Sequence, residues 1–550
     1  MTTQEIDPTY KALLALRERT DLKLKPMKHL RDTFTGFDGA EYPLSIRYYQ
    51  IQGIAHMVSM KRFLLGDDTG LGKTLESIAS LCFVWEKEPN RKAIVLTTKS
   101  AASQWVREFS KFTRGVTVFL CRGTKVQREK IRAQYEKSTG PTVLVMGYRT
   151  AQQDFTAIQN WKDFVLVADE ATVFKNPAAQ IHQTCRHLSS QADRVWALTA
   201  TLIKNNLMEG FAIMQGVVTP GVFKMPSGSF MSKNQFMMYF CQVKQQQIQG
   251  GRQIPVIVGY YPERITEFKE LIDPYYLGRP KHAVAKELPA LIQQELEVDM
   301  TPLQEDKYAE ALEGLIEVGE GDKARIKETT KLTAISYCQE IVNHLSLIDI
   351  DGESPKLEAL VDLLTQGDFA DEKVIVFSRF KKMIDQIVPR LRAEKIKTVR
   401  ITGDEDDKQR DIAMQEFQRP GSDTRVICLT AAGTESINLQ AAKVLVCIDT
   451  PWSAGDFLQL IGRMIRIGSI HDRCYVIHML ARSSAAKSET IDHKVMKVLG
   501  KKMNLVEAVL GQRIKGVSDD MAPIPVESEI SDLFAALQAS AREAKQGVKA

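Results

Sequence analysis

The sequence is poor in the features that mark out several special classes of protein. Cysteine is scarce: there are 8 in 550 residues, and no two form a C-x-x-C pair. The 9 histidines do not cluster with them. This pattern predicts no zinc site and reduced, mostly buried thiols in a cytosolic protein. No run of eighteen apolar residues occurs, so no membrane span is expected. Residues 1–11 are polar and acidic and lack a signal-peptide pattern. Charge of one sign is not in large excess. The net charge of +5 permits nucleic-acid binding without arguing strongly for it. A chain of this length holds two to four domains, each able to bury its own core.

What is present is a phosphate-binding turn. Residues 66–74 read Gly-Asp-Asp-Thr-Gly-Leu-Gly-Lys-Thr. Phe63-Leu64-Leu65 before them reads as a buried strand, and Leu75 to Val84 after them has helical spacing. A glycine turn from a strand into a helix N-terminus points backbone N–H groups and the positive helix end at an anion. Lys73 is placed to reach the β- and γ-phosphates, and the Thr74 hydroxyl to hold Mg²⁺. The strict pattern G-x-x-x-x-G-K-[ST] is not met, because Asp67 stands at its first glycine. Upstream, the Gln50 amide can donate to and accept from an adenine edge, and Arg47 or Tyr49 can stack on a base.

Strand signals then alternate with helices. Ala93–Leu96 ends at Thr97-Thr98, Thr142–Met146 at Gly147-Tyr148, Phe164–Ala168 at Asp169-Glu170, and Val195–Leu198 at Thr199-Ala200-Thr201. Strands running into polar tips predict a parallel α/β sheet with its ligand at the carboxyl ends. Asp169 is expected to hold Mg²⁺ through water, on a strand next to the phosphate strand. Glu170 is expected to orient and deprotonate the attacking water. Residues 205–350 lose the alternation and read as an insertion or linker, helical from about Pro302. A second α/β block begins near Ser354, with strands at 373–378, 399–403, 426–429 and 444–448 and no phosphate lysine. It carries Arg463 and Arg466 at i and i+3, expected on one helical face. Two guanidinium groups there suit the charge that develops on a γ-phosphate. Residues 487–511 read as an amphipathic helix, followed by a loop-rich tail with a short helix at 531–541.

These elements, in this order, resemble superfamily 2 helicase-type ATPases, and among them the Swi/Snf (sucrose-nonfermenting) family of DNA translocases. The likeness runs from about Leu44 to Gly511. Arg47–Gly53 resembles the adenine-reading motif and GDDTGLGKT resembles motif I. Asp169-Glu170-Ala171-Thr172 with Phe174-Lys175-Asn176 resembles motif II, and Leu198–Thr201 with Asn205-Asn206 resembles motif III. Leu277-Gly278-Arg279-Pro280-Lys281, Lys286–Pro289, Phe377-Ser378, Thr402-Gly403, Pro451-Trp452 and the arginine pair complete the set. Thr172 stands where the family has histidine, and Gly433–Asn438 lacks two of the family's motif V glycines. Neither change removes a phosphate, metal or finger ligand, so an active ATPase is expected.

The resemblance implies two RecA-like parallel-sheet lobes, helical insertions between them and a C-terminal brace helix. The expected parts are a helical preface (1–43), a first lobe with a family insertion (44–290), a helical linker or insertion (291–353), a second lobe (354–482), and the brace helix and tail (483–550). It implies ATP and Mg²⁺ as ligands, with Arg47, Gln50, Asp68, Thr69, Gly70, Gly72, Lys73 and Thr74 around the nucleotide. Thr74 and Asp169 would hold the metal, and Glu170 would act as base. Arg463 and Arg466 would serve as fingers, and Gln459 would sense the γ-phosphate. Duplex DNA would lie across both lobes, held at Thr98, Ser378, Thr430 and Trp452 by sequence-independent contacts. The expectation is a monomeric DNA-dependent ATPase that translocates on duplex DNA, in the cytoplasm, nucleoid-associated or in a host cytoplasm if viral. The alternatives are a helicase that separates or anneals strands on single-stranded or forked DNA, a remodeller of a DNA-bound protein such as RNA polymerase, and a binding module with a dead ATP site.

Overall fold

The structure, a computed structural model, describes residues 8–35, 40–200, 202–203, 206–225, 227–247, 253–284, 289–319, 325–328, 330–433, 437–465, 469–483, 489–510 and 537. Two compact units divide them, one drawn mainly from Met1–Val243 and Tyr260–Lys286, the other mainly from Glu287–Leu505. Among the described residues no helix is long and apolar enough to cross a membrane. All eight cysteines are buried, and none takes part in a disulfide.

The first unit is built on a seven-stranded sheet. Numbering strands over the two large sheets only, its members are β1 (Arg62–Leu65), β2 (Lys92–Thr97), β3 (Thr117–Cys121), β4 (Thr142–Gly147), β5 (Val165–Asp169), β6 (Arg194–Leu198) and β7 (Tyr276–Leu277). They pair in the order β7-β1-β6-β5-β2-β4-β3, every pair parallel. The interior strands are apolar at consecutive positions because both faces are covered. Phe63, Leu65, Val95, Val167, Trp196 and Leu198 point into one core, which also takes Ile54, Ile78, Trp85, Trp105 and Phe109 from the helices. Their alternate neighbours Leu64, Ile94, Leu166 and Ala197 are fully buried as well. The flanking helices used below are α1 (Tyr48–Met60), α2 (Lys73–Lys87) and α3 (Lys99–Phe112).

One expectation changes here. β6 lies between β1 and β5, so the Asp169 strand is not next to the phosphate strand. The preface combines an exposed basic face with buried apolar residues. Lys23, Lys25 and Lys28 are exposed, but Met27 and Leu30 join the core and Tyr10 and Leu13 of the Pro8–Arg17 helix are buried.

The second unit carries a six-stranded parallel sheet of β8 (Ala290–Asp299), β9 (Val374–Phe377), β10 (Thr398–Ile401), β11 (Val426–Leu429), β12 (Val444–Cys447) and β13 (Arg473–Arg482). The order is β8-β13-β12-β9-β11-β10. β9, β11 and β12 are buried throughout. β8 pairs with β13 over ten residues, so this sheet starts inside the stretch expected to be a helical linker. As an edge strand β8 mixes apolar residues with Gln293, Gln294, Glu295, Glu297 and Asp299 and stays half exposed, which hides it from a search for apolar runs. The polar segment around Gln245 likewise forms paired strands, Cys241–Gln247 and Gln253–Tyr260. The second α/β block opens with the helix Pro355–Thr365, started by Pro at its first position and by the Ser354 hydroxyl accepting from Leu357 N. The C-terminal helix is Ile491–Leu510, and Ile491 and Val495 pack with Tyr308, Leu312 and Ile335 of the second unit. The short helix expected at 531–541 lies outside the described residues except for Leu537.

Candidate functional site

The turn after β1 is shaped by backbone before side chains. Gly70 and Gly72 have φ of 90° and 94°. Gly72 is the N-cap of α2, and a Cβ there would run into the Gln50 amide, so glycine is required twice over. Lys73 is the first residue of α2, and its Nζ donates to Asp67 O at 2.5 Å and Asp68 O at 3.2 Å. Asp68, Thr69, Gly70, Gly72, Lys73 and Thr74 are partly exposed, whereas Asp67 and Leu71 are buried. The turn therefore offers one polar face, with Lys73 and Thr74 on it, above the positive end of a 15-residue helix.

The Gln50 amide lies against this turn. Its Nε2 donates to Leu71 O at 3.0 Å and its Oε1 accepts from Arg47 N at 2.9 Å. The Tyr49 hydroxyl donates to the same Leu71 O at 3.1 Å, so Tyr49 supports the turn. Arg47 is half-buried at the N-cap of α1.

Asp67 is not a neutral stand-in for glycine. It is fully buried and faces Arg279, which is 7% exposed. Arg279 Nε donates to Asp67 Oδ1 at 2.9 Å and Nη2 to Oδ2 at 2.5 Å, a two-pronged charge-assisted contact. The backbone follows suit: Arg279 N donates to Asp67 Oδ1 at 3.1 Å, Gly66 N to Leu277 O at 2.7 Å, and Asp68 N to Arg279 O at 3.2 Å. Glu76 of α2 also reaches Arg279 Nη2, at 3.2 Å. Burial pushes the Glu76 carboxyl well above the usual carboxylate range, against the pull of Arg279. Sequence reasoning named Asp67 only as an exception and Arg279 only as a landmark. A buried aspartate needs a cation, but nothing local says that its partner lies 212 residues away.

At the tip of β5, Asp169 is partly exposed and held on several sides. Its Oδ2 accepts from Thr97 Oγ1 at 3.0 Å and from Trp105 Nε1 at 2.8 Å, and its Oδ1 from Glu170 N at 3.0 Å. Glu170 sits in the left-handed region, φ 52° and ψ 55°. For a glutamate that costs energy, of order 1–3 kcal/mol, and such strain collects where a side chain must be aimed. Thr98 is half-buried at the N-cap of α3. Thr201 and Asn205 lie outside the described residues.

In the second unit the expected contacts fare differently. Ser378 is fully buried and its hydroxyl donates to Asp449 Oδ2 at 2.5 Å. Thr430 is buried and donates to Thr402 O at 2.6 Å. Both hydroxyls are internal props, which corrects the expectation that these strand tips face DNA. Asp449 further accepts from Asn343 Nδ2 at 3.2 Å and from Arg379 N at 2.8 Å. Trp452 is half-buried, and its Nε1 donates to Gln339 Oε1 at 3.3 Å. Arg463 is buried and Gln459 half-buried on the helix Ala454–Met464. That helix ends before Arg466, and Ile465 is already extended at φ −86° and ψ 103°. The unbroken helical turn expected between the two arginines is therefore absent. Arg466, Lys286–Leu288 and Thr434–Ser436 lie outside the described residues.

With this geometry in hand, the comparisons with known proteins are specific. Residues 49–347 match the family described as SNF2-related domain, and residues 355–468 match the helicase conserved C-terminal domain. The ISWI chromatin-remodeling complex ATPase ISW2 of Saccharomyces cerevisiae is 26% identical over 487 residues, covering 85% of this chain and 41% of that protein. Chromodomain-helicase-DNA-binding protein 1-like of Mus musculus is 25% identical, covering 85% of this chain and 50% of its own length. The chain thus spans about half or less of these curated relatives. Among solved structures, the Sulfolobus solfataricus SWI2/SNF2 ATPase core in complex with dsDNA aligns at 22% identity and a TM-score of 0.39, covering 86% of this chain and 98% of that one.

Proposed function

Since the chain belongs to the SNF2-related domain family, matched over more than half its length, we propose that it is a DNA-dependent ATPase that translocates on duplex DNA and remodels DNA or protein–DNA complexes. The observation that carries this reading is the turn from β1 into α2. Two left-handed glycines open it, and Lys73 and Thr74 stand at the head of the helix.

The residues fit a nucleoside triphosphate with Mg²⁺. The turn offers backbone donors and a lysine for phosphate, and Asp169 is a carboxylate already oriented by Thr97 and Trp105. Lys73 would exchange the carbonyls of its own turn for phosphate oxygens. Thr74 and Asp169 would hold Mg²⁺, which when bound screens charge on the phosphates. Glu170, next along the strand tip, would orient the attacking water and take its proton. Gln50 and Arg47 flank the turn on the side assigned to the base. Arg463 and Arg466 as fingers, and Gln459 as phosphate sensor, rest on their sequence pattern. Phosphoryl transfer needs little beyond such positioning and charge. For DNA, Thr98 and Trp452 remain the proposed contacts among the strand-tip residues, to phosphates rather than bases.

The test is ATP hydrolysis by the wild type and Lys73→Ala with no nucleic acid, duplex DNA, single-stranded DNA or RNA. The expected result is stimulation by duplex DNA, abolished in the variant. Preference for single strands or forks would replace translocation on duplex DNA with strand separation or annealing. Hydrolysis that Lys73→Ala leaves intact would remove the site.

A further inference from the structure

The phosphate turn is held from behind by a buried group that the nucleotide would not touch. Asp67 lies within the turn, Glu76 lies one turn into α2, and Arg279 comes from the segment just after β7. Arg279 bonds both carboxylates and also donates through Nη1 to Tyr49 O and, at 3.4 Å, to Gln52 Oε1. Tyr49 and Gln52 belong to α1, the helix that carries Gln50. One guanidinium therefore ties together the base-side helix, the phosphate turn and the phosphate helix. The Gln52 amide continues outward. Its Nε2 donates to Leu16 O, Arg17 O and Arg19 O at 2.9–3.2 Å, capping the carboxyl end of the Pro8–Arg17 helix. The same helix is pinned by Arg17 to Asp273 at 3.0 Å, a few residues before Arg279.

We propose that Asp67 and Arg279 form a positioning pair for the nucleotide, fixing the phosphate turn in its binding shape, and that the Pro8–Arg17 helix anchors the pair through Gln52. The proposal rests on the nucleotide-binding reading above. Two features favour positioning over simple stability. The contact is two-pronged, so it sets the angle of the turn as well as its distance. It also acts on Asp67, whose carbonyl is one of the two that hold the Lys73 amine. A shift of Asp67 therefore moves the lysine.

Asp67→Gly gives a sharp test, because it would complete the strict G-x-x-x-x-G-K-T pattern. A reading of the pattern alone expects it to be harmless or helpful. The structure expects the dissociation constant for a fluorescent N-methylanthraniloyl ADP to rise about tenfold or more, the scale of one lost charge-assisted hydrogen bond. The KM for ATP should rise with it, while kcat at saturating ATP and duplex DNA changes much less. Binding within about twofold of wild type would overturn the proposal, since that is well under the energy of one such bond. If Asp67→Gly does not fold, Arg279→Lys carries the test, because it keeps the charge and loses the fork. A raised KM at an unchanged melting temperature supports the pair. A lowered melting temperature with unchanged KM makes it structural only and overturns the proposal. Gln52→Leu should raise KM by a smaller factor, and no change would remove the outer anchor from the proposal. A wild type that fails to bind the ADP analogue, with Lys73→Ala indistinguishable from it, would defeat the nucleotide reading itself rather than the pair.

Discussion

Trp105→Phe isolates the support of Asp169, the carboxylate proposed above to hold the metal. Trp105 is 2% exposed, and its Nε1 donates to Asp169 Oδ2 at 2.8 Å. Phenylalanine keeps most of the ring in the core beside Phe109 and deletes that donor. Thr97 Oγ1, at 3.0 Å from the same oxygen, is then left alone to orient it. A hydrogen bond to a charged group contributes about 1.5–3 kcal/mol, or roughly tenfold to 150-fold in an equilibrium constant. Outer partners of metal-binding carboxylates typically change metal affinity by about 10–100-fold, the same range. The assay is ATP hydrolysis at saturating duplex DNA, titrated with Mg²⁺. The half-saturating Mg²⁺ should rise by about tenfold or more, and high Mg²⁺ should restore much of the rate. Thr97→Val removes the other donor without shrinking a ring, so it should move the same quantity in the same direction. If both variants fold and the half-saturation point stays within about twofold, Asp169 is not the metal carboxylate held by these two donors, and the reasoning fails.

Two further predictions concern stability. Burial lowers the pKa of His56 and of His478 from 6.5 to about 4 in each case. Both are therefore neutral in the folded protein, and below pH 6.5 the unfolded chain takes up protons that the folded one refuses. Stability should fall as pH drops from about 6.5 to about 4, by up to about 3 kcal/mol for each histidine. Urea denaturation at pH 7.5 and 5 should show this, and His478→Gln should flatten the slope; an unchanged slope would contradict it. Lys356 is 1% exposed and pairs with Asp492 at 2.7 Å. Lys356→Met should cost about 3–5 kcal/mol by stranding a buried carboxylate, and adding Asp492→Leu should recover most of it. Denaturation midpoints of the single and double variants measure this, and a double variant as weak as the single would refute the pairing.

The parts legible in the sequence were those whose physics is local. Interior strands such as Phe63-Leu64-Leu65 and Val426–Leu429 announce themselves because a parallel sheet covered on both faces needs an unbroken apolar run. The turn at 66–74 was legible because glycine alone tolerates the φ of Gly70 and Gly72, and because lysine and threonine follow at fixed offsets. Asp169 and Glu170 were legible as a polar tip on an apolar strand. What lay beyond reach was what depends on which surfaces meet. β8 is an edge strand whose half-exposed pattern looks like a charged linker until β13 pairs with it. Ser378 and Thr430 end their strands as expected, yet only packing decides whether a strand tip meets solvent or, as here, Asp449 and Thr402. Arg463 and Arg466 have helical spacing, but the helix stops at Met464. Asp67 breaks a pattern in one dimension and completes an ion pair in three, because the chain brings Arg279 back beside the turn along β7. Local chemistry thus determined the class of site. Its brace was decided only by tertiary structure, because the cost of burying a charge is met by whichever opposite charge the fold delivers.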